Sequence, residues 1–354
     1  MLNTSHHRNR GNFPLVIIMM LGLTLMAHVA LVHGETPDGE AILEGLNASP
    51  EDLERLNQGE VINFSGEPWE QTERELAADS VVVINRRLAD VLAETVDDAS
   101  LVPKNKILDF GDIRTEEDLA NVGFTADELK EAERFLKAKP GKELNLSMEE
   151  IADIKSRAGK LQRGASEAER IAVASDVLRN ILVTRYQAYR KEGLGGIAPY
   201  ARSSRKNVLV GDELRLTTEM HEPIEQYFPA YYSTLLNFPA DADCCQQRFS
   251  WLKVKIQKRP TWALVHRITL RGEDFALVTE RYYYTSHSLN SLQVTVAWLP
   301  YEDGTYLGLA TSASADILTG FIGKTLRALG RDKAGELVGD VLTDIKSDLE
   351  TESQ

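Results

Sequence analysis

Cysteine is almost missing: 354 residues hold two, side by side at Cys244-Cys245. That excludes a disulfide-built scaffold, which needs several spaced cysteines. Histidine is scarce as well. Four of the seven (His6, His7, His28, His33) precede residue 35, leaving His221, His266 and His287. His221-Glu222, in HEPIE, lacks the second histidine of an HExxH zinc site, so no metal ligand set and no cofactor motif is read. Positive charge is in deficit, with 40 basic against 54 acidic side chains and a net −14. Nucleic acid is excluded as the bulk partner, because phosphate binding needs a positive footprint. No G-x-S-x-G nucleophile elbow occurs. Gly323-Lys324-Thr325 resembles the end of a P-loop, but Leu318 stands where its first glycine belongs. Gly193-Leu194-Gly195-Gly196 closes a helix instead of joining a strand to one, unlike a dinucleotide fingerprint.

What is present begins with a leader. Arg8 and Arg10 precede the apolar run Phe13 to Val32 (FPLVIIMMLGLTLMAHVALV), and Val32-His33-Gly34 precedes the polar ETPDGE. This order reads as a secretory signal peptide over residues 1–34. The alternative is an uncleaved signal anchor, since 20 apolar residues just span a bilayer. No cysteine lies near residue 34, which excludes a lipoprotein anchor, and no later run is a second span. The expected location is the periplasm or the extracellular medium, with no stable transmembrane span after cleavage. Residues 35–100 then carry 17 acids and 4 bases, a solvated acidic surface.

Residues 35–48 read as a polar, weakly structured lead-in. Ser49-Pro50-Glu51-Asp52 starts a short helix, with serine capping, proline in the first turn and Asp52 completing a capping box. SVVVIN (80–85) reads as a strand and RLADVLAETV (87–96) as a helix. Residues 101–110 read as a loop and a second extended piece. Residues 115–193 are helical. Thr115/Asp118, Thr125/Glu128, Ser147/Glu150 and Ser166/Glu169 each have capping-box spacing before an apolar-periodic run. The longest helix is expected over Ser166 to Lys191, with Ile171, Ala174, Val177, Leu178, Ile181 and Leu182 on one face. VLVGDELRLT (208–217) has strand character weakened by its central Gly-Asp, and Glu222 to Leu236 reads as helix.

Five strand-like runs follow: Phe249–Gln257, Trp262–Arg271, Phe275–Tyr284, Gln293–Leu299 and Tyr306–Ala310. Turn signals such as Arg271-Gly272-Glu273 and Glu302-Asp303-Gly304 make them an antiparallel meander. In the last segment Ala334, Leu337, Val338, Val341, Leu342, Ile345 and Leu349 fall on one helical stripe. The stripe needs a covering layer, and the five strands are expected to roof it with room between. The fold class is therefore α+β: an antiparallel C-terminal sheet packed on a long C-terminal helix, with a large helical insertion. The boundaries are 35–103 for the lead-in and first strand-helix, 104–205 for the insertion, 206–350 for sheet and last helix, and 351–354 for a tail.

Adjacent cysteines lie closer than most disulfides prefer, yet exported thiols usually oxidise. Cys244 and Cys245 are thus a strained vicinal disulfide, partners of another chain, or two buried thiols. Two stretches are basic. From Arg248 to Arg271 there are seven bases and no acid, and from Arg185 to Lys206 the net charge is +5. An anionic lipid or glycan surface is one reading. The simpler one pairs these bases with the acidic residues 35–100. Ser286-His287-Ser288 sets hydroxyls beside an imidazole, but adjacent strand residues point to opposite faces.

Taken in order, SPEDLERLNQGEVI (49–62), SVVVINRRLADVLAETVDD (80–98), several strands and a long last helix carrying IKSDLE resemble the helix-grip arrangement of START-like and polyketide-cyclase-like (SRPBCC) domains. The likeness covers roughly residues 49–103 and 248–350. It implies a curved antiparallel sheet around a long C-terminal helix, with an apolar cavity between them. The chain is also similar to uncharacterised secreted bacterial proteins with a Tyr-x-Ser-His element, here Tyr284-Thr285-Ser286-His287, and no activity carries over from them.

The expected function is non-enzymatic binding of a lipid or other apolar or amphipathic small molecule in the sheet-helix cleft. Arg281, Tyr283, His287 and Trp298 are the candidate polar anchors. The alternatives are an envelope scaffold with a solid core, binding an envelope protein through residues 112–192, and an exported hydrolase using His287 or His266.

Overall fold

A computed structural model describes residues 36–65, 72–97, 106–203, 206–256 and 258–351. The leader 1–34, most of the loop expected after residue 100 and the tail beyond Thr351 lie outside the described residues. The framework is an eight-stranded sheet in the order β1-β2-β8-β7-β6-β5-β4-β3, antiparallel throughout. Its strands are β1 (Ile62–Ser65), β2 (Glu75–Ile84), β3 (Ile107–Asp112), β4 (Gln246–Ile256), β5 (Arg259–Arg271), β6 (Ala276–Thr285), β7 (Ser291–Tyr301) and β8 (Gly304–Ser314). The five-strand meander is β4 to β8. The two early extended pieces add to it from opposite ends: β2 pairs with β8, and β3 pairs with β4. The helical insertion is therefore tied to the sheet by its own first strand.

The helices are α1 (Gly39–Gly45), α2 (Pro50–Asn57), α3 (Leu88–Thr95), α4 (Leu129–Leu136), α5 (Met148–Ala158), α6 (Glu167–Glu192), α7 (Val210–Glu219), α8 (Glu222–Tyr227), α9 (Pro229–Asn237) and α10 (Gly320–Thr351). Local chemistry fixes their starts. All five capping boxes form, at Ser49/Asp52, Thr115/Asp118, Thr125/Glu128, Ser147/Glu150 and Ser166/Glu169, the second and third opening 3-10 turns. Each satisfies backbone donors that a helix start leaves unpaired. Two expectations change. The lead-in contains α1, capped by Asp38, whose carboxylate accepts from the Ala41 amide at 2.9 Å. The 208–217 segment is helix α7 with Asp212 and Glu213 in its first turn, where the helix dipole favours acids.

The two faces of the sheet are covered differently. On one, α3 and α10 bury Val82, Ile84, Val278, Val296, Trp298 and Leu307 with Val91, Leu92, Leu342 and Leu349. The helix α10 packs mainly on β2 and β1, at one end of the sheet, and the space beneath it is filled by these side chains. Leu337, expected on its buried stripe, is 67% exposed. The opposite face carries α4 to α6 over β4, β5 and β6. There Val177, Leu178, Ile181 and Leu182 of α6 share a core with Phe249, Trp262, Leu264 and Tyr283. The same face carries α1, α8 and α9 near β2, β8 and β7, through Leu43, Ile224, Phe228, Tyr231, Leu277, Leu299 and Tyr306. Alternation of side chains along each strand sorts residues between these layers.

Candidate functional site

The cavity lies on the face away from α10. It measures about 90 Å³ and sits between β2, β8 and β7 below and α1 and the α7–α8 junction above. Its floor is Asp79, Val81, Leu277, Thr295, Ala297, Leu299, Tyr306, Gly308 and Ala310, and its roof is Ile42, Leu46, Met220, His221, Pro223, Ile224 and Phe228. Gly39 lets α1 come this close, because a Cβ there would stand 2.7 Å from the Tyr306 Cβ. Half-buried residues at the roof, Ile42, Leu46, Met220, His221 and Pro223, mark where the cavity meets solvent. A cavity near ~150 Å³ accepts benzene, so this one seats a single apolar end of a molecule.

Two titratable side chains face this apolar space without partners. Asp79 lies between Phe64 of β1 and Ala310 of β8 in register, neither of which offers a side-chain donor. Its carboxyl makes no hydrogen bond or ion pair among the described residues. The residue is partly buried and lines the cavity. Burial pushes its carboxyl up to about 7, because a desolvated carboxylate favours its neutral form. Burial, and then the nearby Asp79, also holds the Tyr306 phenol well above its usual range. His221 ends the α7 turn, its backbone N–H donating to the Thr218 carbonyl at 3.1 Å. Burial pushes its imidazole down to about 4, so the ring is neutral near pH 7. The neighbouring hydroxyls are already engaged, that of Ser80 on the α10 face and that of Thr295 on the floor. Ser80 Oγ donates to Asn63 Oδ1 at 2.6 Å, and Thr295 Oγ1 is 2.8 Å from Thr279 Oγ1.

A second buried polar group lies further along the same face. Arg281 and Gln293 are register partners, and Arg281 Nε donates to Gln293 Oε1 at 3.0 Å. Its Nη2 donates to Thr218 Oγ1 at 3.1 Å, while Nη1 has no hydrogen-bond partner. The next register partner, His266, is fully buried. Its Nδ1 lies 2.9 Å from the Tyr189 hydroxyl and its Nε2 2.6 Å from Gln247 Oε1. Burial, then Arg281 and Arg190, pushes the His266 imidazole well below its usual value.

The four anchors expected from sequence do not converge, and none of them lines the cavity. Arg281 belongs to the network just described. Tyr283 lies flat on Tyr189, centroids 4.0 Å apart, in the α6 core. His287 sits past the end of β6, its Nε2 3.1 Å from Thr261 Oγ1 and 3.0 Å from the Pro260 carbonyl. Its Nδ1 is 2.6 Å from Ser288 Oγ, while Ser286 Oγ instead accepts from the Trp262 amide. Trp298 points to the opposite face, into the core under α3 and α10. Cys244 and Cys245 are joined to each other in a vicinal disulfide just before β4.

The basic stretches find acids mostly outside residues 35–100. Arg185 pairs with Glu150, Arg202 with Asp316, Arg248 with Asp112, Lys253 with Glu128, Arg259 with Glu131 and Arg267 with Glu280. Among the described residues Arg271 reaches the acidic segment at Asp97, 3.8 Å away, and Arg267 donates to the Val96 carbonyl at 2.7 Å. Most of this neutralisation comes from the helical insertion.

Comparison with protein-family models, with curated proteins and with solved structures gives no match. No helix among the described residues is long and apolar enough to cross a membrane.

Sequence reasoning passed over Asp79 and took His221 only as half of a metal motif. A signal existed for the first: Asp79 is the one acid inside the strand run Ala77-Ala78-Asp79-Ser80-Val81-Val82. An acid in mid-strand, flanked by residues fit for burial, either pairs or faces a cavity.

Proposed function

We propose that this is an exported, non-enzymatic binding protein that takes the apolar end of a small amphipathic molecule into the cavity roofed by α1 and the α7–α8 junction. The observation that carries the reading is the unpaired Asp79 carboxyl at the floor of an otherwise apolar cavity. Apolar walls with one or two polar groups are the usual make-up of a small-molecule site. A buried polar group without a partner lowers stability, and a ligand supplies the missing partner. Export rests on the leader, whose n-region and apolar run fit secretion.

Binding of 1-hexanol to the chain purified from its own host tests this. Saturation-transfer NMR should detect binding, and Ala297→Phe, which fills the floor, should abolish it. A folded wild-type chain that shows no hexanol signal removes the proposal. Fractionation of the host tests export, and recovery of the chain only in the cytosol, with the leader retained, removes that part.

A second reading is an envelope protein-interaction module. It is favoured by the edge strand β3, where Leu108 and Phe110 are 50% and 66% exposed. If this edge is the working surface, Phe110→Asp eliminates cross-linked complexes in the host envelope while hexanol binding persists.

A further inference from the structure

Resting on the cavity reading, we infer that the ligand's polar end is an amine, whose ammonium group pairs with Asp79 while its apolar chain occupies the cavity. The argument begins with what surrounds the carboxyl. Asp79, His221 and Tyr306 are the titratable side chains among the cavity-lining residues, and no lysine or arginine is with them. An anionic head, such as a fatty-acid carboxylate, would meet Asp79 with no cation to offset the repulsion and the loss of water. A hydroxyl head would gain one neutral hydrogen bond. An ammonium would gain a charge-assisted one, about twice as strong.

His221 does not compete for the carboxyl. Asp79 and His221 show no hydrogen bond or ion pair to each other, and burial keeps the imidazole neutral near pH 7. The carboxyl is therefore free to respond to an incoming cation. An ammonium nearby favours its charged form, so amine binding releases the proton that burial holds on Asp79. The long-range field acts in the same direction, because a chain of net charge −14 attracts cations.

The test is a head-group series on one skeleton: hexylamine, 1-hexanol and hexanoate, titrated by NMR at about pH 8 into the wild-type chain and Asp79→Asn. A charge-assisted hydrogen bond is about twice as strong as the neutral one a hydroxyl makes, so hexylamine should bind about fivefold to tenfold more tightly than hexanol. Hexanoate should bind most weakly. In Asp79→Asn the amine should lose its advantage, so that amine and alcohol affinities come within about twofold of each other. Hexanol binding as tightly as hexylamine in the wild-type chain overturns the amine assignment and leaves the cavity reading standing. So does an amine preference that survives Asp79→Asn. Should none of the three bind the wild-type chain, the cavity reading fails and takes this inference with it. The wild-type comparison alone decides the matter if the variant does not fold.

Discussion

Asp79 stands directly opposite Ala310 in the β2–β8 ladder, so its carboxyl faces a methyl group where an antiparallel sheet could have placed a donor. Folding therefore desolvates this acid without compensating it, and a definite pH dependence follows. The carboxyl sits near 3.8 in an unfolded chain and is pushed up to about 7 in the fold. Between these values the folded chain holds a proton that the unfolded chain has lost. Stability is thus highest, as far as this group is concerned, below about pH 4, and is lost as pH rises through about 7. Asp79→Asn stays neutral throughout. Its advantage over wild type should be near zero at pH 4, grow through pH 5 and 6, and level off above about pH 7, reaching on the order of 2–4 kcal/mol. Urea unfolding at several pH values measures it. A variant advantage that does not change with pH contradicts the assignment.

His221 gives the opposite slope in a neighbouring window. Its imidazole is pushed down to about 4 by burial, while an unfolded histidine titrates near 6.5. Below about 6.5 the unfolded chain takes up a proton that the folded chain refuses. Stability is lost as pH falls from about 6.5 to about 4. His221→Asn, which cannot charge, should gain on wild type across that window and match it at pH 8. The double variant with Asp79→Asn separates the two contributions. If the effects are not additive within about 0.5 kcal/mol, the two side chains are coupled across the cavity.

Arg281 is a fully buried cation with no carboxylate partner among the described residues. One of its partners depends on it: Gln293 Oε1 accepts from Arg281 Nε, and the Thr218 hydroxyl 3.4 Å away already donates to the Leu214 carbonyl. Gln293 Nε2 also donates to Thr218 Oγ1 at 3.2 Å, and Thr218 Oγ1 lies 3.0 Å from the Leu214 carbonyl. Removing the charge while keeping the bulk should cost little, because relief from burying a cation without a counter-ion offsets the one hydrogen bond that Gln293 loses. Arg281→Met is expected to be neutral or more stable by up to about 4 kcal/mol, whereas Arg281→Ala should lose about 2–5 kcal/mol by leaving a void. Thermal unfolding of the pair decides between charge and volume. Equal destabilisation by both would mean that the guanidinium itself is required.

The elements written into short stretches of sequence were legible, and those made by distant pairing were not. Each capping box spans four residues, and all five formed as read, because a cap depends on its own helix start. The meander β4–β8 was legible for a similar reason, as short turns join neighbouring strands. Helix α1 was missed because GEAILEG is small and acidic, and only packing of Leu43 into the sheet makes it worth folding. Helix α7 was missed because Val208, Val210 and Leu214 mimic strand periodicity until Leu214 is buried against the sheet. The cavity was the least legible feature. The partner of Asp79 in the ladder is 231 positions away in sequence, and His221 reaches the same space from a helix junction. The anchors read from sequence were buried, but Trp298 packs on the face opposite Tyr283, and His287 lies beyond the end of β6.

Arg202 joins four separate segments, and its loss should be the costliest among the ion pairs. Its Nε donates to Asp316 Oδ2 at 2.6 Å, and Nη1 donates to the Gly141 carbonyl at 3.1 Å. Nη2 donates to Asn145 Oδ1 at 2.8 Å and to Asn290 Oδ1 at 3.0 Å. The side chain is almost wholly buried, and so is most of Asp316. Asn145 extends the network by donating to the Thr285 and Leu289 carbonyls. One guanidinium thus fixes the helical insertion to the β6–β7 connection and to the turn after β8. Removing one partner of a buried pair strands the other, at a cost of about 3–5 kcal/mol. Arg202→Ala should reach that range in urea unfolding. Asp316→Asn should cost less, because an amide oxygen still accepts from Nε, and Arg74, which lies 3.4 Å from Asp316, keeps Glu213 as a carboxylate partner. Hydrogen exchange should report the same loss locally, with faster exchange of the Asn145 amide, which donates to the Ser286 carbonyl at 2.9 Å. If Arg202→Ala unfolds like a surface-pair variant, within about 1 kcal/mol of wild type, then the insertion is held by its apolar core alone.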